Sequence, residues 1–353
     1  MAFLRFDNIG IKGLAACVPA NTVINRNYTE TFSEEEAALI CDKTGIEERR
    51  FALPGTTASD LCYEAADKLL KEIEVDRSEI DVLLFVSQTA DYRMPASAII
   101  LQDRLGLSKD TIAFDINIGC SGYVYGLSVA FMYAQQPHIR KVLLLDGETR
   151  SRVYSPKDRK TAFLFGDGGS ATLIEKEEDL LDGSTFLMGS DGSRQDLIKM
   201  DAGGYRNPSS AETLREKVVD KHGNIRSDEH GYMDGADVFS FVLREIPKNF
   251  KSLMAMAGKD KDELDKFFFH QANKYMNDYL GKKLKVAPEK APQSLQKYGN
   301  TSSVSIPLNI VDHYGGHKVE NETWLLSGFG VGMSWASAIF PVRDIMVLPI
   351  IVL

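Results

Sequence analysis

The sequence predicts an α/β fold whose sheet is covered by helices on both faces and is built from two similar halves. Residues 81–87 and 141–146 are near-continuous apolar runs, as in strands that are buried on both faces. Residues 265–270 repeat the layout of 81–86: an Asp, an apolar strand, and then polar residues that lead into a helix. Duplication of one α/β unit explains this repeat, and chance similarity of apolar strands is the alternative.

The predicted halves are related by three pairs of segments: 81–86 with 265–270, 141–145 with 323–327, and 170–174 with 334–340. In each half the first two of these strands lie about 60 residues apart, which leaves room for the crossover connections that parallel strands require. The segment between the halves is polar, rich in glycine and irregular. The predicted organisation is therefore a first half at 1–184, a connecting segment at 185–232, a second half at 233–344 and an apolar tail at 345–353.

The remaining elements follow from local signals. Residues 9–18 have the pattern of a first strand. Ser33, followed by three acidic residues, predicts the start of a helix, because a serine side chain caps the free N–H groups there. A second helix is expected over 57–73. The apolar tail is too short to span a membrane, and we expect it to form an extra strand or to be buried at an interface.

The bulk composition limits the classes of function. A chain of 353 residues with a net charge of −9 can bury sizeable cores, and its acidic balance argues against a protein that coats nucleic acid. The four cysteines show no metal-type spacing, which favours a reduced, cytoplasmic setting and implies no metal or redox cofactor. No apolar run reaches the length of about 18 residues that a membrane span needs, and the N-terminus lacks an apolar signal segment.

Cys120 is the most informative single residue. It lies in the turn 119–122, Gly-Cys-Ser-Gly, between a predicted strand and a predicted helix, where small residues permit a sharp bend. Free N–H groups at a helix N-terminus stabilise a thiolate and lower the cysteine pKa from its usual value of about 8.5. The alternative is a structural cysteine, since free cysteine is among the most buried residue types.

Three further elements are predicted to follow strands: His270, Asn300 in a turn of small polar residues, and the glycine-rich turn 327–332. Polar residues at strand ends line the binding crevice of an open α/β sheet, and the glycines allow backbone N–H groups to point inward as an oxyanion hole. Taken singly, a histidine after an apolar strand is more often a core residue than a catalyst. A run of small polar residues is usually a plain turn, and spaced glycines occur in many loops. Their joint placement predicts that they form one site with Cys120.

A nucleophilic cysteine with a histidine and an asparagine fits two chemistries. In a cysteine protease, the histidine would deprotonate the thiol and the asparagine would orient the histidine. In decarboxylative carbon–carbon bond formation, the cysteine carries an acyl group as a thioester, while histidine and asparagine donate hydrogen bonds to a thioester carbonyl. A duplicated, fully covered sheet with a glycine-rich oxyanion turn argues against the protease.

Four motifs in order, at 115–122, 270–273, 299–302 and 328–332, together resemble those of beta-ketoacyl-acyl-carrier-protein synthase III, the initiating condensing enzyme of type II fatty acid synthesis. The resemblance reaches from the first strand to Arg343. It implies a thiolase-like fold of two βαβαβαββ-type halves in a layered αβαβα arrangement. It also implies a homodimeric acyltransferase that condenses an acyl-CoA primer with malonyl-acyl-carrier protein, with the coenzyme A thioester as substrate rather than cofactor.

The resemblance implies catalytic roles for individual residues. Cys120 would take the acyl group from acyl-CoA. His270 and Asn300 would bind the malonyl thioester carbonyl and stabilise the enolate that forms when carbon dioxide leaves. The backbone N–H groups of Cys120 and Val331 would form the oxyanion hole.

Five more residues are implied in substrate binding. Lys43 and Arg159 match basic residues near the CoA nucleotide, and Met94 matches a residue that reaches across the dimer to cap the acyl pocket. Lys274 would supply a charge for the carrier protein, and Gly332 ends the glycine-rich turn.

Departures from the family pattern raise an alternative. Leu39 replaces a Trp that stacks on adenine, Tyr275 replaces an Arg that serves the carrier protein, and Ala236 replaces an Asn near the pantetheine path. The 201–231 segment is also longer than in housekeeping members. These differences favour, as the alternative, a specialised condensing or acyl-transfer enzyme of a secondary, polysaccharide or lipid pathway. A less favoured alternative is an inactive partner subunit, which the presence of the nucleophile Cys120 argues against.

Overall fold

A computed structural model describes residues 2–177 and 183–353. Its strands are β1 (Ala2–Phe6), β2 (Ile9–Val18), β3 (Thr22–Ile24), β4 (Glu48–Arg50), β5 (Ile80–Val86), β6 (Ile112–Ile116), β7 (Lys141–Thr149), β8 (Asp167–Lys176), β9 (Ser184–Ser190), β10 (Ile198–Met200), β11 (Lys217–Val218), β12 (Ile225–Arg226), β13 (Gly231–Met233), β14 (Lys266–Phe269), β15 (His317–Gly330), β16 (Ser334–Val347) and β17 (Ile351–Val352). Its helices are α1 (Glu34–Thr44), α2 (Ala58–Glu72), α3 (Ser97–Arg104), α4 (Gly122–Ala134), α5 (Gly235–Ala257), α6 (Lys274–Leu284), α7 (Leu295–Tyr298) and α8 (Ser305–Tyr314).

The first half of the chain contributes one side of the main sheet, in the strand order β6-β5-β7-β8-β2. β5 runs parallel to both β6 and β7, whereas β8 runs antiparallel to β7 and β2. The apolar runs 81–87 and 141–146 lie in β5 and β7, which are buried along nearly their whole length. Strands covered on both faces leave only their ends accessible, so a binding site must form there.

The second half repeats this arrangement. Its strands follow the order β14-β15-β16-β9, with β14 parallel to β15 and the other neighbours antiparallel. This matches β5-β7-β8-β2 in order and direction, so the three predicted segment pairs are equivalent strands and the predicted duplicated α/β fold is confirmed. The halves join where β16 runs beside β2, with Met346 opposite Gly13.

Helices form three layers around the two halves. α4 and α8 lie between the halves, where Phe131 and Ile310 share one core with Leu144 of β7 and Trp324 of β15. α2 and α3 cover the outer face of the first half, and α5 and α6 cover that of the second. α4 is apolar nearly all round because both of its sides face strands. The order of layers is αβαβα, as the resemblance implies.

Local signals place the helix starts correctly. The Ser33 hydroxyl accepts a hydrogen bond from the Glu36 N–H at 3.2 Å, and the Glu36 carboxylate accepts the Ser33 N–H at 3.3 Å. This reciprocal pair is a capping box and begins α1 where the sequence predicts. No helix among the described residues is long and apolar enough to cross a membrane.

Two local predictions are corrected. β9 occupies the start of the segment 185–232, where irregular structure is predicted, and it pairs with both β1 and β16. β1 precedes the strand at 9–18 that the sequence marks as the first. Both strands are short and owe their conformation to pairing with distant partners, which no local pattern reveals. The apolar tail completes β16 and adds β17 beside β2, so the extra strand is confirmed, while the domain boundaries stay predictions.

Candidate active site

Cys120 lies in the turn between β6 and α4, two residues before the helix begins. A Cβ on the preceding residue, Gly119, would lie 2.2 Å from Val331 Cγ1 and 2.5 Å from Gln88 Oε1. Only glycine fits where two other segments approach the turn this closely. The thiol is thereby held beside the glycine-rich turn, with 8% of the residue exposed.

The glycine-rich turn is the end of β15, and it packs directly on the cysteine. A Cβ at Gly328 would lie 2.8 Å from the Cα of Ser121, and one at Gly330 would lie 2.7 Å from Cys120 Sγ. Gly330 also has a φ of 155°, at the edge of the region that favours glycine. The glycines thus allow the turn to pack closely against the thiol, which places the N–H of Val331 within hydrogen-bonding distance of the sulfur.

His270 directly follows β14, and its N–H donates to the carbonyl of Ser327 at 2.9 Å. Its Nδ1 is 2.7 Å from the hydroxyl of Ser305, which also accepts the N–H of Gln271 at 3.2 Å. The ring meets Phe329 edge to face, with 5.5 Å between centroids. These contacts fix the imidazole plane and occupy Nδ1, so Nε2 is the nitrogen that remains for the hydrogen bond with Cys120.

Asn300 is fixed by its backbone. Its N–H donates to Leu164 at 2.8 Å, and its carbonyl accepts the N–H of Gly166 at 3.1 Å, which joins the turn to the chain before β8. Its Oδ1 accepts the N–H of Ser302 at 2.9 Å. The side-chain oxygen is therefore occupied, and the two Nδ2 hydrogens remain to donate to a ligand.

Cys120, His270, Asn300 and Val331 line one narrow cavity of about 70 Å³. The four sequence elements predicted to meet are thus brought together. The prediction that Asn300 follows a strand is wrong, because it follows the short helix α7. Most of the remaining wall is apolar, formed by Tyr154, Leu164, Phe165, Ile198, Met233, Val238, Val242, Met276 and Phe329.

The electrostatics of the cavity favour a thiolate at Cys120. Burial alone would raise the pKa of the thiol, but the charge and hydrogen bond of His270, the charge of Arg150 and the N–H of Val331 outweigh burial. Together they lower the pKa of Cys120 to about 6. At neutral pH the sulfur is mainly anionic, which is the form that attacks a carbonyl carbon.

This lowered pKa predicts the pH dependence of alkylation by iodoacetamide. Only the thiolate reacts, so the rate at Cys120 is expected to level off above its pKa of about 6 and to fall about tenfold per pH unit below it. Burial raises the pKa of Cys17 to about 12 and raises that of Cys41, so these thiols serve as internal controls in peptide mass spectrometry. A Cys120 rate that still climbs steeply above pH 8 would contradict the assignment.

Comparisons with known proteins identify the family. Residues 114–192 match the family model 3-Oxoacyl-[acyl-carrier-protein (ACP)] synthase III, and residues 254–342 match its C-terminal counterpart. The chain is 34% identical to the beta-ketoacyl-[acyl-carrier-protein] synthase III of Streptococcus agalactiae, over 93% of this chain and 98% of that protein. The chain belongs to the synthase III family. Synthase III proteins are acyl-transferring condensing enzymes, and this chain is one of them.

Two further similarities agree with this. The beta-ketoacyl-[acyl-carrier-protein] synthase III of Fusobacterium nucleatum is 32% identical, over 94% of this chain and 98% of that protein. A crystal structure of a 3-oxoacyl-(acyl-carrier protein) synthase from Burkholderia xenovorans matches with a TM-score of 0.92 and 36% identity, covering 100% of this chain and 99% of the other. The thiolase-like fold of the synthase III family is thereby confirmed.

The residues that the synthase III resemblance implies in substrate binding lie apart from the cavity lining. Lys43 and Met94 are exposed, Met94 to 74%. Arg159 pairs with Glu36 at 3.1 Å. Lys274 lines a separate surface pocket beside the end of α1, and Gly332 lies in the turn that follows β15. Their roles in binding stay predictions.

Several polar residues of the site escape the sequence analysis. Arg150 and Ser302 line the cavity, and Ser305 orients His270. Arg150 and Glu148 end β7 or follow it directly, so the strand-end rule that selects Cys120 and His270 would also have selected them. Among the described residues, no group of three or more His, Cys, Asp or Glu side chains is arranged to hold a metal ion.

Proposed function

We propose that this synthase III condenses an acyl-CoA primer with malonyl-acyl-carrier protein to give a 3-oxoacyl-acyl-carrier protein, which initiates fatty acid synthesis. The observation that carries the proposal is that Cys120, with a pKa lowered to about 6, shares one cavity with His270 and Asn300. A nucleophile and two orienting donors are the parts that an acyl-enzyme condensation needs.

The first half-reaction loads the enzyme. The Cys120 thiolate attacks the thioester carbonyl of acyl-CoA and forms a tetrahedral intermediate. Backbone N–H groups of Cys120 and Val331 donate to its oxyanion, as the turn between β15 and β16 is rich enough in glycine to allow. The carbon–sulfur bond to coenzyme A then breaks, the coenzyme A thiolate leaves and takes up a proton, and the acyl group remains as a thioester on the cysteine.

The second half-reaction uses the other two side chains. Nε2–H of His270 and Nδ2–H of Asn300 donate to the thioester carbonyl of malonyl-acyl-carrier protein. The bond to the carboxylate breaks, carbon dioxide leaves, and the electron pair forms an enolate whose oxygen these donors stabilise. The enolate carbon attacks the acyl carbonyl on Cys120, and the thiolate is released with the 3-oxoacyl product.

Ser305 sets the tautomer that this step requires. Its hydroxyl accepts the N–H of Gln271 at 3.2 Å and lies 2.7 Å from Nδ1 of His270, to which we propose that it donates its own hydrogen. With Nδ1 as acceptor, the neutral imidazole carries its hydrogen on Nε2. That nitrogen can then donate to an enolate oxygen.

The proposed enzyme acts in the cytoplasm as a homodimer and needs no metal or redox cofactor. Its cysteines are free thiols, which suits a reducing compartment. Met94, which is 74% exposed, would contact the second subunit, where an apolar side chain gains from burial. Lys43, Lys274 and Arg159 would serve the phosphates of coenzyme A or of the carrier protein.

Intact-mass spectrometry tests the proposal. The protein is incubated with acyl-CoAs from acetyl to octanoyl, and peptide mapping locates any adduct. We expect one acyl group per chain, on Cys120, and release of coenzyme A in equal amount. Addition of malonyl-acyl-carrier protein should then discharge the adduct and yield the 3-oxoacyl product. Absence of any adduct would argue for a carrier-bound primer or an inactive partner subunit, and thus against the proposal.

A specialised condensing role is the second candidate. Leu39 is 54% exposed and Tyr275 is 61% exposed, at positions where the synthase III pattern expects a Trp and an Arg. Leu39 has no aromatic ring to stack on adenine, and Tyr275 cannot form the bidentate contacts of an Arg with a phosphate. The acyl chain that loads fastest separates the two candidates.

A further inference from the structure

Arg150 is a buried cation in the wall of the catalytic cavity. It is 7% exposed, and its three hydrogen bonds all leave from Nη2: to Gln88 Oε1 at 2.6 Å, to Ser302 Oγ at 3.0 Å and to Glu148 Oε1 at 3.2 Å. Its Nε is buried and donates to nothing among the described residues. The guanidinium therefore has donor capacity that the protein does not use.

The guanidinium of Arg150 lies close to the nucleophile. Ser302 Oγ is 3.0 Å from Arg150 Nη2 and 3.8 Å from the sulfur of Cys120, so one hydroxyl group separates the cation from the thiol. Ser302 has a φ of 57°, a left-handed conformation that is uncommon outside glycine. This conformation aims its hydroxyl between the two groups.

Arg150 also lines a second cavity, of about 220 Å³. Arg150, Tyr154, Ile198 and Val331 line both cavities. The second cavity is further lined by Gln88, Asn117, Val153, Lys199, Met200 and Gly231. An acyl group on Cys120 that extends toward the second cavity passes among these four residues, of which Arg150 is the charged one.

A plain alkyl chain is a poor occupant of this passage. Pressed against Arg150, it would exclude water from Nη1, which has no hydrogen-bond partner among the described residues and is not one of the fully buried atoms. A buried unsatisfied donor is unfavourable. An oxygen atom on the chain would accept a hydrogen bond from the guanidinium instead. Glu148 already balances the charge, since its carboxylate also accepts the N–H of Gln88 at 3.1 Å and the hydroxyl of Thr89 at 2.8 Å. A neutral oxygen therefore preserves the charge balance best.

We infer that the acyl pocket selects short acyl groups that carry a hydrogen-bond-accepting oxygen near their far end, which Arg150 binds. A hydroxyl, a ketone or a carboxylate can each supply this acceptor oxygen. This inference rests on the proposed function, because it concerns the group that Cys120 accepts from coenzyme A. It adds a specificity residue to the site and identifies the substrate class.

Four acyl-CoAs with the same number of carbons test the inference on the unaltered enzyme: butyryl, 3-hydroxybutyryl, 3-oxobutyryl and succinyl. Initial rates of adduct formation on Cys120 are followed by intact-mass spectrometry, with acetyl-CoA as reference. At least one oxygenated group is expected to load about tenfold faster than butyryl, as a hydrogen bond from a charged donor permits. Fastest loading of succinyl would identify a carboxylate ligand, and fastest loading of the other two a neutral oxygen.

Two variants assign the preference to Arg150. Arg150→Leu removes the cation, and the double variant Glu148→Gln with Arg150→Leu removes both charges, so no buried charge is left unpaired. The ratio of oxygenated to butyryl loading is measured at one pH, because a change in the Cys120 thiolate fraction then cancels. We expect the ratio to fall to about one in both variants. Arg152→Leu is the matched control, since Arg152 donates to carbonyls of Ala52 and Leu53.

The outcomes separate this inference from the proposed function. If acetyl-CoA and butyryl-CoA load Cys120 and no oxygenated group loads faster than butyryl, the selectivity is wrong and the condensing function stands. If Arg150→Leu slows every acyl-CoA equally and leaves the ratio unchanged, Arg150 supports the thiolate only. If no acyl-CoA loads at all, the proposed function fails and the inference fails with it.

Discussion

Replacement of Cys120 by serine is expected to reduce acyl loading on the order of 10³-fold or more. The thiol has a pKa lowered to about 6, so the sulfur is anionic at neutral pH. A serine hydroxyl has no comparable anionic form there, and its neighbours are arranged for a larger, softer atom. The measurement is the rate of coenzyme A release from acyl-CoA under single-turnover conditions.

The control for this variant is Cys41→Ser. Cys41 is buried in α1, and burial raises the pKa of its thiol, so its exchange should leave the loading rate within about twofold. Both variants should retain the thermal stability of the unaltered protein to within a few degrees. A Cys120→Ser protein that condenses at the normal rate would show that another group carries the acyl chain.

Replacement of Asn300 by alanine is expected to lower decarboxylation of malonyl-acyl-carrier protein on the order of 10² to 10³-fold, while loading of Cys120 stays close to normal. The side-chain amide offers its Nδ2 hydrogens to the enolate, whereas its Oδ1 holds the N–H of Ser302 at 2.9 Å. Release of labelled carbon dioxide and formation of the acyl adduct are measured on the same sample.

His270→Ala is expected to lose both steps at neutral pH. The sequence predicts that the cysteine carries out acyl loading, whereas His270 and Asn300 serve decarboxylation only. In the structure, however, the imidazole also helps to lower the pKa of Cys120, so its removal raises that pKa and decreases the thiolate fraction. Loading should therefore recover as the pH is raised, whereas decarboxylation should not.

The results for Asn300→Ala and His270→Ala together test the proposed roles of the two side chains. Asn300→Ala with normal carbon dioxide release would remove the amide from the proposed mechanism. His270→Ala with normal loading at pH 7 would show that Arg150 and the N–H of Val331 suffice to maintain the thiolate. Ser305→Ala is expected to lower both activities less than His270→Ala does. It leaves the imidazole in place but removes the hydroxyl that contacts Nδ1 at 2.7 Å.

The sequence by itself determines the class of fold and the identity of the reactive elements. Apolar runs such as β5 and β7 require cover on both faces, and their recurrence as β14 and β15 reveals the duplication. Cys120 lies in the turn after β6, His270 directly follows β14 and the glycine-rich turn ends β15. They are recognisable because strand ends of a covered sheet meet in one crevice. The capping signal at Ser33 is equally local.

Only the tertiary structure decides what lies between those elements. β1 and β9 are strands because distant partners pair with them, and no local pattern encodes a partner. The same holds for Arg150: its charge is visible in the sequence, but its burial beside the thiol depends on contacts with Gln88 and Ser302, far from it in the chain. The pKa of Cys120 and the polarity of the acyl pocket arise from these long-range contacts, because electrostatic energies depend on distance and burial rather than on sequence order.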